Sequence, residues 1–585
     1  MHLRTILNFL PESERLRLTG IFIYMFMGGV VEALSVISIG PFLAIAANPE
    51  WIETNQHVSS FYNFFNFQSQ QHFLIAAGLL LIFINVLSNA IMFFILNKSI
   101  RFNWHLIYIF SNHLHKFYFS QPYSFFLSRN SADLHRFVYT EVNFVVHNFF
   151  VPLFSCFQNL VVVVLLSMVV VVQSVQVAVS VVLLFLCVYA SINYGLRDRL
   201  KKYGIEAKKA DAKRFMILKN GFEAFKITKL LGLENFFTDS YVKHALNSSR
   251  MQGNSQIMSM APRYFVESIG YIAIVTITLF IVLEIENLAE VIPTLGVYAY
   301  AFYRIMPKTQ AIYQNIAKMR FSSARFKALD SEMRTCSKPR PKKVLNPSRL
   351  DPAHDFQLSV KNVCFCYENS KRTILDDVDF EIRRNQMVGI LGRTGSGKTT
   401  LLDIMLGLLA PTSGAIFYKG HDLNCYDKSD WQDQVGYVPQ EIVLIDTTVL
   451  KNIAFGIPEE QINSEQAIKA AKLANIHEFI TNDLSHGYQT DVGDRGIRLS
   501  GGQKQRLGIA RALYRKPSIL FFDEATSSLD TLTEKKLMKA IGDLYGHLTI
   551  VIVAHRLNTL KNCDFVIELE DGVIKRKGPF DSVVE

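Results

Sequence analysis

The run Met387-Val388-Gly389-Ile390-Leu391-Gly392-Arg393-Thr394-Gly395-Ser396-Gly397-Lys398-Thr399-Thr400-Leu401-Leu402-Asp403-Ile404-Met405-Leu406 decides the fold of the carboxyl-terminal part of this chain. A short apolar stretch, a glycine-rich loop and an apolar stretch without breakers predict strand, loop and helix in that order. Glycines let successive backbone N–H groups turn inward onto the oxygens of a phosphate, and the new helix adds the positive end of its dipole. Lys398 is expected to reach the β- and γ-phosphates of a nucleotide and Thr399 to ligate Mg²⁺, with Gly392, Arg393, Thr394, Gly395, Ser396, Gly397 and Thr400 completing the cradle. A chance match in a Gly/Ser/Thr-rich turn would lack the flanking strand and helix.

Further along, Ser518-Ile519-Leu520-Phe521-Phe522 is a continuous apolar run closed by Asp523-Glu524. A strand buried on both faces reads this way, and ligands of open α/β sheets sit at such a carboxyl end. Asp523 is expected to hold Mg²⁺ and Glu524 to polarise an attacking water. An acidic helix cap is the plain alternative for the pair taken alone.

Leu499-Ser500-Gly501-Gly502-Gln503 matches the signature sequence of the ATP-binding cassette (ABC) family, and at these residues the chain resembles that family's transporters. The resemblance implies a head-to-tail homodimer in which Ser500, Gly501, Gly502 and Gln503 of one copy cap the γ-phosphate on the other copy's phosphate loop. Backbone donors and a hydroxyl at a helix N-terminus suit a transferring phosphoryl group on physical grounds as well. It further implies that Tyr367 stacks on adenine and that Gln440, in Tyr437-Val438-Pro439-Gln440, senses Mg²⁺ and the membrane domain. Asp530, in Ser527-Ser528-Leu529-Asp530, would cross the dimer interface, and His555, in Val553-Ala554-His555-Arg556, would contact the γ-phosphate. A lone histidine after an apolar strand is more often structural, but its place after Asp530 favours the family role. The implied catalytic set is Lys398, Gln440, Glu524 and His555; the implied cofactors are ATP and Mg²⁺, with Thr399, Gln440 and Asp523 toward the metal. Thr490-Asp491-Val492-Gly493-Asp494-Arg495-Gly496 resembles the segment that exporter-type members carry before the signature, which implies export or flipping.

What precedes this cassette decides what the ATP is for. The chain has 585 residues, 50% of them hydrophobic, and the apolar excess is concentrated in its front half. Runs long enough to cross a bilayer, about 20 residues each, lie near Gly20–Ala47, His72–Leu96, Phe144–Val172, Gln176–Tyr194, Phe265–Leu283 and Val291–Ile312. The connections 49–71, 172–175 and 284–290 hold no Lys or Arg, whereas Lys98, Arg101, Arg129, Arg136 and the basic stretch from Arg197 to Arg214 follow the second and fourth runs. Positive residues stay inside, so an even number of spans returns the cassette to the cytoplasm. Most of the net charge of +10 is this inside bias, and nucleic-acid binding lacks a basic recognition module. The expected architecture is a membrane α-helical domain of six transmembrane helices, exporter type, with cytoplasmic extensions (1–330), a linker rich in proline and basic residues (331–354), and an α/β P-loop ATP-binding cassette (355–585). Seven scattered cysteines give neither a disulfide framework nor zinc spacing.

Helical periodicity continues past the second and fourth runs, bending near Gln121-Pro122-Tyr123-Ser124-Phe125-Phe126 and Phe222-Glu223-Ala224-Phe225-Lys226. In the exporter family such aromatic tips dock onto the cassettes; a helix lying on lipid headgroups fits the same pattern. Trp51, Phe61, Tyr62, Phe64, Phe65 and Phe67 crowd the first outer loop, which reads equally as an interfacial helix and as packing on the first two spans. Ionisable residues inside spans are costly; Glu32, Arg263, Glu267 and Arg304 stand out. Arg263 and Arg304 suit a phosphate or pyrophosphate through their planar donor forks, while an i,i+4 pair of Arg263 with Glu267 and a snorkelling arginine fit equally. Ala261-Pro262-Arg263-Tyr264 and Tyr303-Arg304-Ile305-Met306-Pro307 resemble lipid-linked oligosaccharide flippases of the PglK type. That resemblance implies a polyprenyl-diphosphate-linked glycan as substrate and a bacterial cytoplasmic (inner) membrane as location. A general lipid or drug exporter uses the same cassette, and a gated channel or regulator is a third reading, disfavoured by the complete catalytic set.

Overall fold

A computed structural model describes residues 11–584 apart from 48–51, 53–55, 66, 68, 174, 285–291, 338–355, 368–369, 371, 424–427, 494–495, 525–533, 535–537, 540–541, 543–545 and 547. The chain divides into two units, Met1–Gln121 with Arg129–Arg340, and Pro122–Ser128 with Pro341–Glu585.

The first unit is helical. Its helices are α1 (Glu12–Ile37), α2 (Gln70–Phe119), and, beyond the short α3 (Tyr123–Leu127) that groups with the second unit, α4 (Val151–Gln173), α5 (Val175–Glu223), α6 (Phe225–Leu230), α7 (Glu234–Glu284) and α8 (Ile292–Ser337). α2 starts where the Ser69 hydroxyl accepts from the His72 N–H at 3.2 Å, a side-chain N-cap. It ends before Pro122, which disfavours helix at the residue preceding it. At about 1.5 Å per residue its 50 residues exceed a hydrocarbon core of about 30 Å more than twofold, so a large part projects beyond lipid. Leu79, Ile82, Phe83, Val86 and Phe93 of α2 are exposed, as apolar side chains solvated by lipid tails are. Among the described residues, Glu12–Ser35, Gln70–Phe119 and Ser131–Met168 are helices long and apolar enough to cross a membrane. Expected spans four to six run on α5, α7 and α8, and most of their side chains lie outside the described residues. The first expected span is interrupted at Ser38, between α1 and the helix Ile39–Ala47. In the outer loop Gln56–Phe64 is helical; Tyr62 and Phe67 pack on Phe73 at 5.3 and 5.2 Å between ring centroids, while Phe64 and Phe65 are exposed. Trp51 lies outside the described residues.

A buried ionic network ties the helical extensions together. Arg325 of α8 pairs with Asp211 of α5 and lies 3.5 Å from Glu141, with Arg325 and Glu141 side chains only 5% and 1% exposed. Its guanidinium also sits 4.1 Å over the Phe144 ring, and the Ser248 hydroxyl of α7 donates to Asp211 at 2.7 Å. Glu141 closes a π-helical turn, Arg136–Glu141, a local widening that recurs at strained or functional places.

The second unit is α/β. β1 (Phe356–Cys366), β2 (Thr373–Arg383), β4 (Ser413–Tyr418) and β5 (His421–Asp422) form an antiparallel sheet in the order β2-β1-β4-β5. β3 (Met387–Leu391), β6 (Val435–Val438), β7 (Ile519–Asp523), β8 (Thr549–Val553), β9 (Phe565–Glu570) and β10 (Val573–Gly578) form the order β10-β9-β3-β8-β7-β6. Strands β9 to β6 in that row are parallel and β10 is an antiparallel edge. Alternate residues enter different cores: Leu520, Phe522, Ile550 and Ile552 one, Ile519, Phe521, Val551 and Val553 the other. Burial on both faces explains why the strands read as unbroken apolar runs. α9 (Lys398–Met405) follows β3, and α10 (Gly501–Tyr514) precedes β7.

Replacing Arg325 with Met removes the most buried cation of this network and, among the described residues, leaves Glu141 only Arg136 at 3.9 Å and Asp211 only Arg214 at 3.4 Å. Breaking a buried ion pair on one side costs about 3–5 kcal/mol, so thermal unfolding of the purified Arg325→Met protein is expected well below that of the parent.

Candidate functional site

The parallel strands deliver their carboxyl ends to one level. Ile390 pairs with Val553, Asp523 with Val553 and Val438 with Phe522, so the segments that follow β3, β8, β7 and β6 emerge side by side. These segments carry the phosphate loop, His555, Asp523-Glu524 and Gln440.

Between β3 and α9 the loop turns on glycines. Gly397, at φ +101°, is the residue that caps α9, a backbone conformation that disfavours side chains. A Cβ on Gly392 would lie 2.3 Å from the Leu569 carbonyl oxygen, so this position also excludes one. The Lys398 ammonium donates to the carbonyl oxygens of Gly392 and Arg393 at 2.8 and 2.9 Å. Burial lowers its pKa, and the charges of Glu524 and Asp523 oppose that. The buried Ser396 hydroxyl has no hydrogen-bond partner. A lysine, a spare hydroxyl and backbone donors at a helix start fit a polyphosphate. Thr399, exposed at the first turn, and Asp523 offer the oxygen chemistry that a hard cation takes.

Glu524 is the centre of the polar cluster. The Gln440 side-chain amide donates to its Oε2 at 2.8 Å, and His555 Nε2 lies 2.6 Å from its Oε1. Its backbone is left-handed, at φ +46°, with the N–H donating to the Val553 carbonyl at 2.9 Å. Such strain in a non-glycine residue collects at functional sites. A carboxylate held by an amide on one side and an imidazole on the other can orient and polarise a water. Asp523 is buried, which raises its pKa, as does neighbouring Glu524; the Tyr437 hydroxyl and Lys398 act the other way. Asp403 on α9 is pushed up to about 6, by burial first and Asp523 second. Asp403 belongs to none of the motifs, although a single carboxylate inside Leu401-Leu402-Asp403-Ile404-Met405 is a signal visible in the sequence.

The remaining expected residues fall elsewhere. Tyr367 shares a 3.2 Å hydrogen bond with Thr400 and packs edge-on to Phe365. Ser500 and Gly501 are exposed at the start of α10. There Ser500 and Gln503 form a capping box, with the Ser500 hydroxyl accepting from the Gln503 N–H and the Gln503 side chain accepting from the Ser500 N–H. Asp530 lies outside the described residues, as do Asp494 and Arg495. Of the membrane arginines, Arg263 donates to Glu267 at 2.6 Å with its side chain half exposed, and Arg304 is half-buried. The α3 segment is part of the cassette unit; burial raises the Tyr123 hydroxyl pKa, helped by Asp403 and Tyr367.

The ABC transporter family profile matches residues 375–527. Similar curated proteins include heavy metal tolerance factor 1 of Caenorhabditis elegans, 44% identical over 221 residues, covering 38% of this chain and 27% of that protein. The alpha-hemolysin translocation ATP-binding protein HlyB of Escherichia coli O157:H7 is 40% identical over 233 residues, covering 40% of this chain and 33% of its own length. The leukotoxin translocation protein LktB of Mannheimia haemolytica is 42% identical over 228 residues, 39% of this chain and 32% of that protein. The chain thus spans about a quarter to a third of the length of these relatives. Over nearly its whole length it has the fold of a solved bacterial Atm1-family ABC exporter with ATP bound, at TM-score 0.74 and 21% identity, covering 97% of this chain and 96% of that one.

The raised Asp403 carboxyl makes a pH test. In the unfolded chain it titrates near its ordinary 3.8 and in the folded chain near 6, so between these values the folded state holds the extra proton. Stability from this group is therefore greatest at the acid end and falls as pH rises through that window. Asp403→Asn is expected to flatten this part of the pH profile of thermal unfolding.

Proposed function

Since the chain carries an ABC transporter ATPase domain on the fold of an ABC exporter, we propose that it is an ATP-driven flippase for a polyprenyl-diphosphate-linked oligosaccharide. It moves this substrate from the cytoplasmic to the outer leaflet of a bacterial cytoplasmic membrane. The observation that carries the ATP-hydrolysing part is Glu524 held between Gln440 and His555 beside the phosphate loop. Domain roles follow the boundaries 1–330 for the membrane part, 331–354 for the linker and 355–585 for the cassette.

In this reading Lys398 and the backbone of Gly392 to Thr400 bind the phosphates, Tyr367 stacks on the adenine and Glu524 activates the water. His555 and Gln440 keep the Glu524 carboxylate oriented. Thr399, Gln440 and Asp523 would hold Mg²⁺, which when bound neutralises phosphate charge. Ser500, Gly501, Gly502, Gln503 and Asp530 act on the nucleotide of a second copy, so the working unit is a homodimer. The solvent-facing capping box of Ser500 and Gln503 supports this, because its helix start is turned outward and available. Exposed Phe222, Phe225 and Leu230 at the second cytoplasmic tip supply an apolar surface for the partner copy's cassette.

The glycan head of such a substrate cannot cross lipid unaided. Each unpaired hydroxyl costs about 4–8 kcal/mol in hydrocarbon and a bare phosphate charge far more, whereas the tail stays in the membrane. ATP-driven closure favours outward opening only to the extent that the two states bind the head differently. Arg263 and Arg304 are the proposed diphosphate ligands. The Arg263–Glu267 pair also fits a general lipid or drug exporter, in which neither arginine meets an anion.

Reconstitution with a fluorescent polyprenyl-diphosphate glycan tests the reading. ATP-dependent translocation is expected, with Glu524→Gln lowering ATP turnover about 10²–10⁴-fold and abolishing movement. Arg263→Ala with Arg304→Ala is expected to slow transport. Stimulation by neutral amphiphiles with no glycan movement would instead select the general exporter.

A further inference from the structure

Glu32 of α1 and Lys308 of α8 form an ion pair at 2.7 Å, with side chains 11% and 25% exposed. Around it, Ala33, Val162, Leu166, Leu165 and Ile305 make an apolar cluster from three helices. Counting about 1.5 Å per residue, Lys308 lies about 24 Å from the start of α8, and the 2.7 Å contact puts Glu32 at the same depth, within the inner part of a bilayer core. Charges at such depth are costly and mark substrate paths. A buried ion pair is weak evidence for stability, because apolar replacements of equal volume pack as well. The pair is also incomplete, since Glu32 Oε2 is buried without a hydrogen-bond partner. Lysine carries three donors, the Glu32 contact uses one, and the lysine is the more open partner. Arg304 stands one turn earlier on α8, and i,i+4 spacing puts the two cationic heads on one face.

We propose that Lys308, oriented by Glu32, is the specificity-determining cation that selects a diphosphate head group over a monophosphate. The inference rests on the reading of the substrate as an anionic polyprenyl lipid. Two phosphates reach both Arg304 and Lys308 and compete with Glu32 for the lysine; a single phosphate engages Arg304 and leaves the Glu32–Lys308 pair closed.

The test uses the full chain in liposomes and compares half-saturating concentrations of polyprenyl diphosphate and polyprenyl monophosphate, of equal chain length, for stimulating ATP hydrolysis. The informative variant is the double change Glu32→Gln with Lys308→Gln, which leaves no unpaired charge buried; Lys308→Arg is the conservative control. The parent is expected to prefer the diphosphate. The double variant loses that preference, its value for the diphosphate rising about tenfold, as expected for loss of one charge-assisted contact, while that for the monophosphate stays nearly constant. Lys308→Arg keeps the preference. If the double variant retains the parental preference, the pair is only a tie between helices and the inference falls. If the parent responds to neither lipid, the lipid-linked reading itself fails and takes the inference with it.

Discussion

With Asp523 level with Val553, Val438 with Phe522 and Ile390 with Val553, four parallel strands release their chains at one height. Phosphate loop, carboxylates, imidazole and amide therefore meet without any long excursion. Apolar packing holds the strands on both faces, and the polar residue at the end of β7 sets their level. Sliding β7 one residue further into the sheet would drag Asp523 into the apolar core, a large desolvation penalty. The left-handed backbone at Glu524 follows from the same constraint. The chain must leave the strand at once for the carboxylate to reach Gln440 and His555.

That arrangement accounts for one side of a nucleotide. The signature residues are built differently, since Ser500 and Gln503 satisfy each other's backbone groups in an exposed helix start. A helix start so capped is stable alone and still presents N–H groups and a hydroxyl outward. In the proposed mechanism this second surface belongs to the nucleotide of a partner copy. Chemistry then waits on association, and association can be coupled to the helices through the cytoplasmic tips.

The phosphate loop and the Asp523-Glu524 pair were legible in the sequence because each directly follows a continuous apolar strand, so local order implies spatial convergence. Lys398, Asp523 and Glu524 could be placed at the carboxyl end of a sheet from that logic, whereas Gln440 and His555 were legible only through the family resemblance. Asp403 was passed over because motif reading stops at the end of the loop. In the helical unit the limits were sharper. Arg263 admitted two readings from spacing alone, and its observed partner is Glu267, one turn away on its own helix. The Glu32–Lys308 pair and the Arg325–Asp211–Glu141 network join residues remote in sequence, and no periodicity announces which helices will face each other. Packing of whole helices decides such pairs.

The central claim, that a complete nucleotide site needs two copies, is tested most directly by mixing two inactive subunits. Lys398→Ala and Ser500→Arg chains are co-expressed, the mixed dimers isolated through different tags, and ATP turnover measured against each variant alone. A mixed dimer assembles one whole site, from the phosphate loop of the Ser500→Arg chain and the signature of the Lys398→Ala chain. The account therefore expects turnover to reappear on mixing. Turnover that stays absent in the mixed dimer, or full turnover by either variant alone, would contradict it.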